Sequence, residues 1–334
     1  MYLRRKRIAL VLTFETDSMK TSTTQTMHKT GVLSIILFFY LVTTSAGKPS
    51  DAGFSFPENT VEIKFRFSIY KNLIVLPVTI NDSIRVNLIL DTGCRNLLLF
   101  GKRFERLFKT LPDHKVRFSG LGEKPPLTGK LALNNKVSIH SLLGQEIPVI
   151  IVQGKSLFGE RAEIDGIVGY DIFIKFEIEF DASRQLIKFR PAESAEIAPG
   201  FTRIPLRVED SRPLIQSTIF FSAPDATDCD IMLDTGSALG LLLKSRDEKY
   251  FSELPKQILG KGLGGNVTGT VRAASSLSLE TFEIHISSVG IWWSEHHSHG
   301  SVGMDIMKDY SVVLNYCKGY AGFKKTQKTR KPMV

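Results

Sequence analysis

Short apolar runs separated by turn residues occupy most of the chain. Examples are LIVLPVTIND (Leu73–Asp82), NLIL (Asn87–Leu90), IPVIIV (Ile147–Val152), FEIEF (Phe176–Phe180), LIKF (Leu186–Phe189), LSLETFEIHI (Leu277–Ile286) and SVVLNY (Ser311–Tyr316). Runs this short, rich in apolar and β-branched residues and bounded by Gly, Asn, Asp and Ser, predict strands, so the pattern predicts an all-β protein. Helical periodicity is confined to Arg103–Lys109 and to the residues just after Gly169 and Gly303. The stretch RPAESAEIAPGF (Arg190–Phe201) has no strand pattern and reads as a linker.

The runs repeat. One unit extends over residues 73–191 and a second over 204–324, joined by residues 192–203 and preceded by an N-terminal extension, 47–72. Each unit holds, in order, an apolar strand ending in Asp-Thr-Gly, a Gly-Leu-Gly turn, a Thr-Gly, and an apolar-Gly-x-Asp-Ile segment. The first copy has NLILDTGC (Asn87–Cys94), Gly120-Leu121-Gly122, Thr128-Gly129 and GIVGYDI (Gly166–Ile172). The second has DIMLDTGS (Asp230–Ser237), Gly262-Leu263-Gly264, Thr268-Gly269 and GSVGMDI (Gly300–Ile306). Asp91 to Gly120 is 29 residues and Asp234 to Gly262 is 28; Asp91 to Asp171 is 80 and Asp234 to Asp305 is 71. Conserved order with small drifts in spacing is the mark of a duplication followed by changes in the loops.

Charge adds little to this picture once it is located. The 334 residues carry 43 Lys+Arg against 34 Asp+Glu, a net +9, but the excess sits at the two ends. Residues 47–323 hold 32 bases and 32 acids, so the sequence gives no support for a nucleic-acid-binding core, and no nucleic-acid partner is expected. The basic tail is 325–334. The longest apolar stretch, Gly31–Val42, has twelve residues, about 18 Å of helix against a ~30 Å hydrocarbon core. Met27-His28-Lys29 precedes it and Thr44 and Ala46 follow at the positions a signal peptidase reads, so residues 1–46 are expected to be a leader. The expected start of translation is Met27 or Met19. The protein is thus expected to be exported, periplasmic or secreted, and to touch a membrane only through an uncleaved leader. Three cysteines, Cys94, Cys229 and Cys317, make no disulfide framework; one bridge and one free thiol is possible, with the pairing left open.

The chemistry lies in the two Asp-Thr-Gly turns. A carboxylate at the end of a buried strand is costly unless hydrogen-bonded, and the Gly two residues on lets a turn expose backbone N–H groups to it. One such turn reads as a strand-ending Asx turn. Two, at equivalent places in related units, can meet on a pseudo-two-fold axis. Paired carboxylates share a proton: the ionised member can activate a water and the protonated one can polarise a carbonyl.

These residues resemble the aspartic endopeptidases of the pepsin and retropepsin type. The resemblance covers roughly residues 73–324 and rests on Asp91-Thr92-Gly93, Asp234-Thr235-Gly236, and the later Ile167-Val168-Gly169 and Ser301-Val302-Gly303. It implies two tandem retropepsin-like β-barrel lobes, as in exported bacterial aspartyl-protease-like proteins. Asp91 and Asp234 would be catalytic, Thr92 and Thr235 would interlock, and Gly93, Gly236 and Ser237 would support the Asp turns. Ile167, Val168, Gly169, Val302 and Gly303 would form the ψ-shaped loops. The flaps would be Val116–Ala132 and Leu259–Ala273, with Gly120, Gly122, Gly262 and Gly264 at their tips. The substrate would be a peptide or protein, cut without metal or cofactor, by a monomer whose two lobes pair; pairing of like copies between two molecules is the other arrangement.

Two positions depart from the family pattern. Cys94 follows the first Asp-Thr-Gly where Ser, Thr or Ala is usual, and Ser301 replaces an apolar ψ-loop residue. They leave open a catalytically weak or inactive peptide-binding relative. Among other features, Glu295 with His296, His297 and His299 reads as a polar loop rather than a zinc site, because the first copy has no matching histidines. Asp171 and Asp305 read as helix caps, and Trp292-Trp293 as core or cleft wall.

Overall fold

A computed structural model describes residues 52–110, 115–153, 163–221, 225–251, 254–294 and 299–326. Its regular structure is nearly all strand, with two single-turn α-helices among the described residues, Tyr170–Phe173 and Met304–Met307, both placed just after the ψ-loop glycines. The helical pattern at Arg103–Lys109 is a short 3-10 turn, Lys102–Arg106. The run LSLETFEIHI is two strands, Ser276–Leu279 and Phe282–His285. The chain reverses between them through Glu280, which takes a positive φ of 52°. The leader with its Gly31–Val42 segment, His296 and His297, and the tail beyond Thr326 lie outside the described residues. Among the described residues, no helix is long and apolar enough to cross a membrane.

Three sheets organise the described residues, which hold together as one unit. A nine-stranded sheet uses strands from Gly53–Ser55 to Gly166–Val168, and a ten-stranded sheet uses those from Arg207–Glu209 to His299–Gly303. These are the two lobes. The third sheet has six strands, two from the end of each repeat plus Ile63–Arg66 and Thr202–Pro205. At its centre Phe176–Asp181 lies antiparallel to Tyr310–Asn315, with Ile178 opposite Leu314 and Asp181 opposite Ser311. The N-terminal extension therefore supplies strands to both sorts of sheet, pairing with Leu142–Val152 and with Leu186–Pro191.

Each lobe repeats one local arrangement. In the first, Gly166–Val168 runs parallel to Ile84–Leu90, which enters the Asp turn, and antiparallel to Leu97–Phe100, which leaves it. In the second, His299–Gly303 lies in the same way between Ala226–Asp234 and Leu241–Ser245. Alternation divides the outgoing strands. Leu97 and Leu99, like Leu241 and Leu243, point into the main core, and the residues between them point the other way.

Candidate active site

The strand geometry brings the two Asp turns together. The Thr92 N–H donates to Thr235 Oγ1 and the Thr235 N–H to Thr92 Oγ1, both at 3.0 Å. Each hydroxyl donates onward to the opposite strand, Thr92 to the Leu233 carbonyl (2.5 Å) and Thr235 to that of Leu90 (2.8 Å). Both threonines are fully buried, and all four bonds cross between the lobes. A pair of buried hydroxyls satisfied only by the other lobe fixes the register of the turns.

The carboxylates meet within this frame. Asp91 Oδ1 accepts the Gly93 N–H at 2.6 Å, and Asp234 Oδ1 accepts the Gly236 N–H at 3.0 Å. A Cβ on Gly93 would lie 3.1 Å from Asp91 Oδ1 and 3.7 Å from Asp234 Oδ1, so both oxygens border one small space. A Cβ on Gly236 would strike the Asp91 carboxylate at 2.2 Å, so glycine is required there by the carboxylate of the other lobe. Burial pushes the Asp91 carboxyl up to about 6, against the opposing pull of the Gly93 N–H and the Arg212 charge. Burial, and next the charge of Asp91, push Asp234 up to about 7. The arrangement holds one proton between two acids near neutral pH.

The ψ-loop glycines fit tightly behind these turns. A Cβ at Gly169 would come within 2.0 Å of the Cys94 carbonyl, and one at Gly303 within 2.3 Å of that of Leu239. The following residues close the contact, Tyr170 N–H donating to the Cys94 carbonyl (2.9 Å) and Met304 N–H to that of Ser237 (2.8 Å). The helix caps are Gly169 and Gly303 themselves, without side-chain bonds; Asp171 and Asp305 fall in the first turns instead. Asp305 accepts from Asn72, which tethers the first lobe to the second.

Residues 76–172 match the aspartyl protease family model. This segment belongs to the aspartyl protease family. The match takes in the first Asp turn, the first flap and the first ψ-loop. The second copy lies outside the matched residues. No curated protein matches the chain.

The two hairpins expected as flaps are built alike. Lys115–Phe118 pairs with the start of Leu127–Ile139, and Gln257–Gly262 with Gly265–Ala273. Their Gly-Leu-Gly tips clasp one another: the Lys124 N–H donates to the Gly264 carbonyl (2.7 Å) and the Gly264 N–H to that of Leu121 (2.8 Å). Backbone passes so close that a Cβ on Gly122 would lie 2.3 Å from the Gly264 carbonyl carbon, and Gly122 also takes a positive φ of 126°.

The two departures from the family pattern find different places. The Cys94 thiol donates to the Asn96 carbonyl (3.0 Å), not to a carboxylate, and burial with the Asp91 charge keeps it protonated. The Ser237 hydroxyl accepts the Leu239 N–H (3.3 Å), so it braces the turn backbone. Ser301 is buried opposite Leu242. All three cysteines are free. Among the described residues, no group of His, Cys, Asp or Glu is arranged to hold a metal.

Three residues near the dyad were not anticipated from the sequence. Arg212 and Lys244 both act by charge on Asp234, and Arg212 on Asp91 as well. Tyr316, buried against Phe173, feels the charges of both aspartates, and its hydroxyl has no partner among the described residues. For Lys244 a signal existed: the repeat sets this lysine against Phe100 of the first copy. Trp292 borders a cavity of about 490 Å³ together with Glu123 of the first flap tip and Thr268 and Gly269 of the second flap.

Proposed function

We propose that the protein is an aspartic endopeptidase that hydrolyses peptide bonds with a water activated between Asp91 and Asp234. The observation that carries this reading is the meeting of two Asp-Thr-Gly turns of one chain through the reciprocal Thr92–Thr235 bonds. The ionised member of the pair takes a proton from the water as it attacks the carbonyl. The protonated member hydrogen-bonds the carbonyl oxygen, and both carboxyl groups together stabilise the gem-diol. Transfer of the proton to the leaving nitrogen then releases the amine. Neither a covalent intermediate nor a cofactor is needed.

A mixed peptide library incubated with the purified protein between pH 4 and 8, read by mass spectrometry, tests this. Cleavage is expected, blocked by a pepstatin-like inhibitor and reduced at least about 10³-fold in Asp91→Asn and in Asp234→Asn, the scale on which loss of a general acid or base acts. Cleavage that survives both substitutions would overturn the mechanism. Peptide binding without turnover would instead favour the non-catalytic relative.

A further inference from the structure

The two halves of the cleft are built on one register but carry opposite chemistry. In the first lobe Leu98, Phe100, Ile150, Val152 and Ile167 form an apolar cluster separate from the main core. Cys94 of the Asp turn and Val116, Phe118 and Leu127 of the first flap pack against it, so the cluster lies between turn and flap. Leu263, reaching over from the tip of the second flap, also packs on it, as an apolar substrate side chain would.

Strand register identifies the counterparts. Leu98 faces Ile150 and Ile167, and Phe100 faces Val152. At the equivalent places in the second lobe, Leu242 faces Gly290 and Ser301, and Lys244 faces Trp292. Three apolar side chains are therefore replaced by a lysine, a glycine and a serine, and a valine by a tryptophan. Beside them, Arg212 opens its strand opposite Glu209, where the first lobe has Leu73 opposite Tyr70.

Lys244 is a half-buried cation on the cleft side of its strand, since Leu241 and Leu243 on either side of Leu242 point into the core. Its ammonium lies 5.6 Å from the centre of the Trp292 ring. No carboxylate is in ion-pair contact with it among the described residues, and burial, then the neighbouring Arg212, weaken its hold on its proton against the opposing pull of the Asp234 charge. The Asp234 charge offsets only part of the cost of burying this ammonium, and an incoming carboxylate in contact with it relieves more.

We propose that the cleft reads its substrate from two sides: the first lobe takes an apolar side chain, and the second takes an aspartate or glutamate side chain through Lys244. Ser301 offers a hydroxyl where Ile167 offers only hydrocarbon, while the Leu259 and Leu242 side chains fill the space over Gly290, so the acidic side chain would meet Lys244 at the end of the strand. This inference rests on the protease reading and names its substrate class.

The test uses the full chain and matched peptides that differ only in Glu against Gln, each in a cleavable form and in a form with a reduced scissile bond. The Glu peptide is expected to have a kcat/KM, and the uncleavable Glu peptide an affinity, roughly 10- to 100-fold above its Gln partner, the range of one charge-assisted bond. In Lys244→Met both ratios fall to about one, and in Lys244→Arg both persist. Cleavage with no Glu preference overturns the inference and leaves the protease reading standing. A preference that survives Lys244→Met also overturns it, as does a Lys244→Met change confined to the pH profile. Glu-selective binding without cleavage upholds the inference and overturns the catalysis, whereas a protein that neither binds nor cuts either peptide overturns both.

Discussion

At the scale of single residues, the dyad differs from an exposed pair of aspartates chiefly through burial. Both carboxyls are pushed up, Asp91 to about 6 and Asp234 to about 7, with the charge of one raising the other. Below the lower value both are protonated and no base is available; above the higher, both are ionised and no acid remains. The profile of kcat/KM against pH is therefore expected to be a narrow bell between about 6 and about 7, whose limbs belong to the pair. The same shifts bear on stability. An acid whose folded value is raised contributes stability that is complete below its unfolded value, near 4, and is lost as pH rises through 6–7. Asp234→Asn removes that loss, so its melting temperature at pH 8 should exceed the wild type's by several degrees and converge with it near pH 4. Thermal unfolding of both proteins across pH checks this; a constant gap would show that the pair is not the cause. The pairing itself was legible in the sequence, because Asp-Thr-Gly occurs twice in matching surroundings. Arg212 was not, since a basic residue in a strand looks like any other until the register shows which face it occupies, and for Lys244 the only signal was its alignment with Phe100 of the first copy.

At the scale of elements, strand positions could be read from alternation and turn residues, but pairing could not. The Gly-Leu-Gly turns marked two hairpins, yet their sequences are silent on whether the tips meet, which depends on how far each hairpin leans over the cleft. In the structure they meet through close backbone hydrogen bonds, with Leu263 packed beside Gly120, so the clasp is sensitive to any side chain added at the glycines. A Cβ at Gly264 would lie 3.0 Å from the carbonyl oxygens of Gly120 and Leu121, and one at Gly122 would overlap Gly264. Gly264→Val and Gly122→Val should therefore part the tips and lower kcat/KM for a peptide by tenfold or more. The free energy of unfolding should change by less than about 1 kcal/mol, because the glycines lie outside the main core. Steady-state kinetics with urea unfolding distinguishes this from general damage. Equal kcat/KM in the variants would mean that the clasp plays no part in catalysis.

For the molecule as a whole, the repeat revealed two lobes but not what joins them. FEIEF reads as an ordinary half-exposed strand, with Phe176, Ile178 and Phe180 on the core face. Its other face is not solvent: Glu177, Glu179 and Asp181 are all buried in the central six-stranded sheet. Acids cannot be buried there without partners, and the partners come from both lobes. Arg190 lies 2.5 Å from Glu177 and 3.6 Å from Glu179, and Lys188 lies 2.7 Å from Glu179. From the second repeat, Ser311 donates to Asp181 at 2.7 Å, and Tyr320 donates to Glu177. Asn315 donates to the Ala192 carbonyl at 2.9 Å, which brings the linker onto the same face. Through strand alternation this network sets one repeat against the other in the third sheet, while the Thr92–Thr235 bonds set them at the dyad. Arg190→Met would strip Glu177 and Glu179 of their shared cation and is expected to cost about 3–5 kcal/mol, as breaking one side of a buried ion pair does. Arg190→Met with Glu177→Gln should recover a substantial part of that loss, because the uncompensated charge is then gone. Urea unfolding of the three proteins measures both quantities. A loss under about 1 kcal/mol in the single variant, or no recovery in the double, would mean that the sheet is held by its backbone and apolar face, with the carboxylates reaching water.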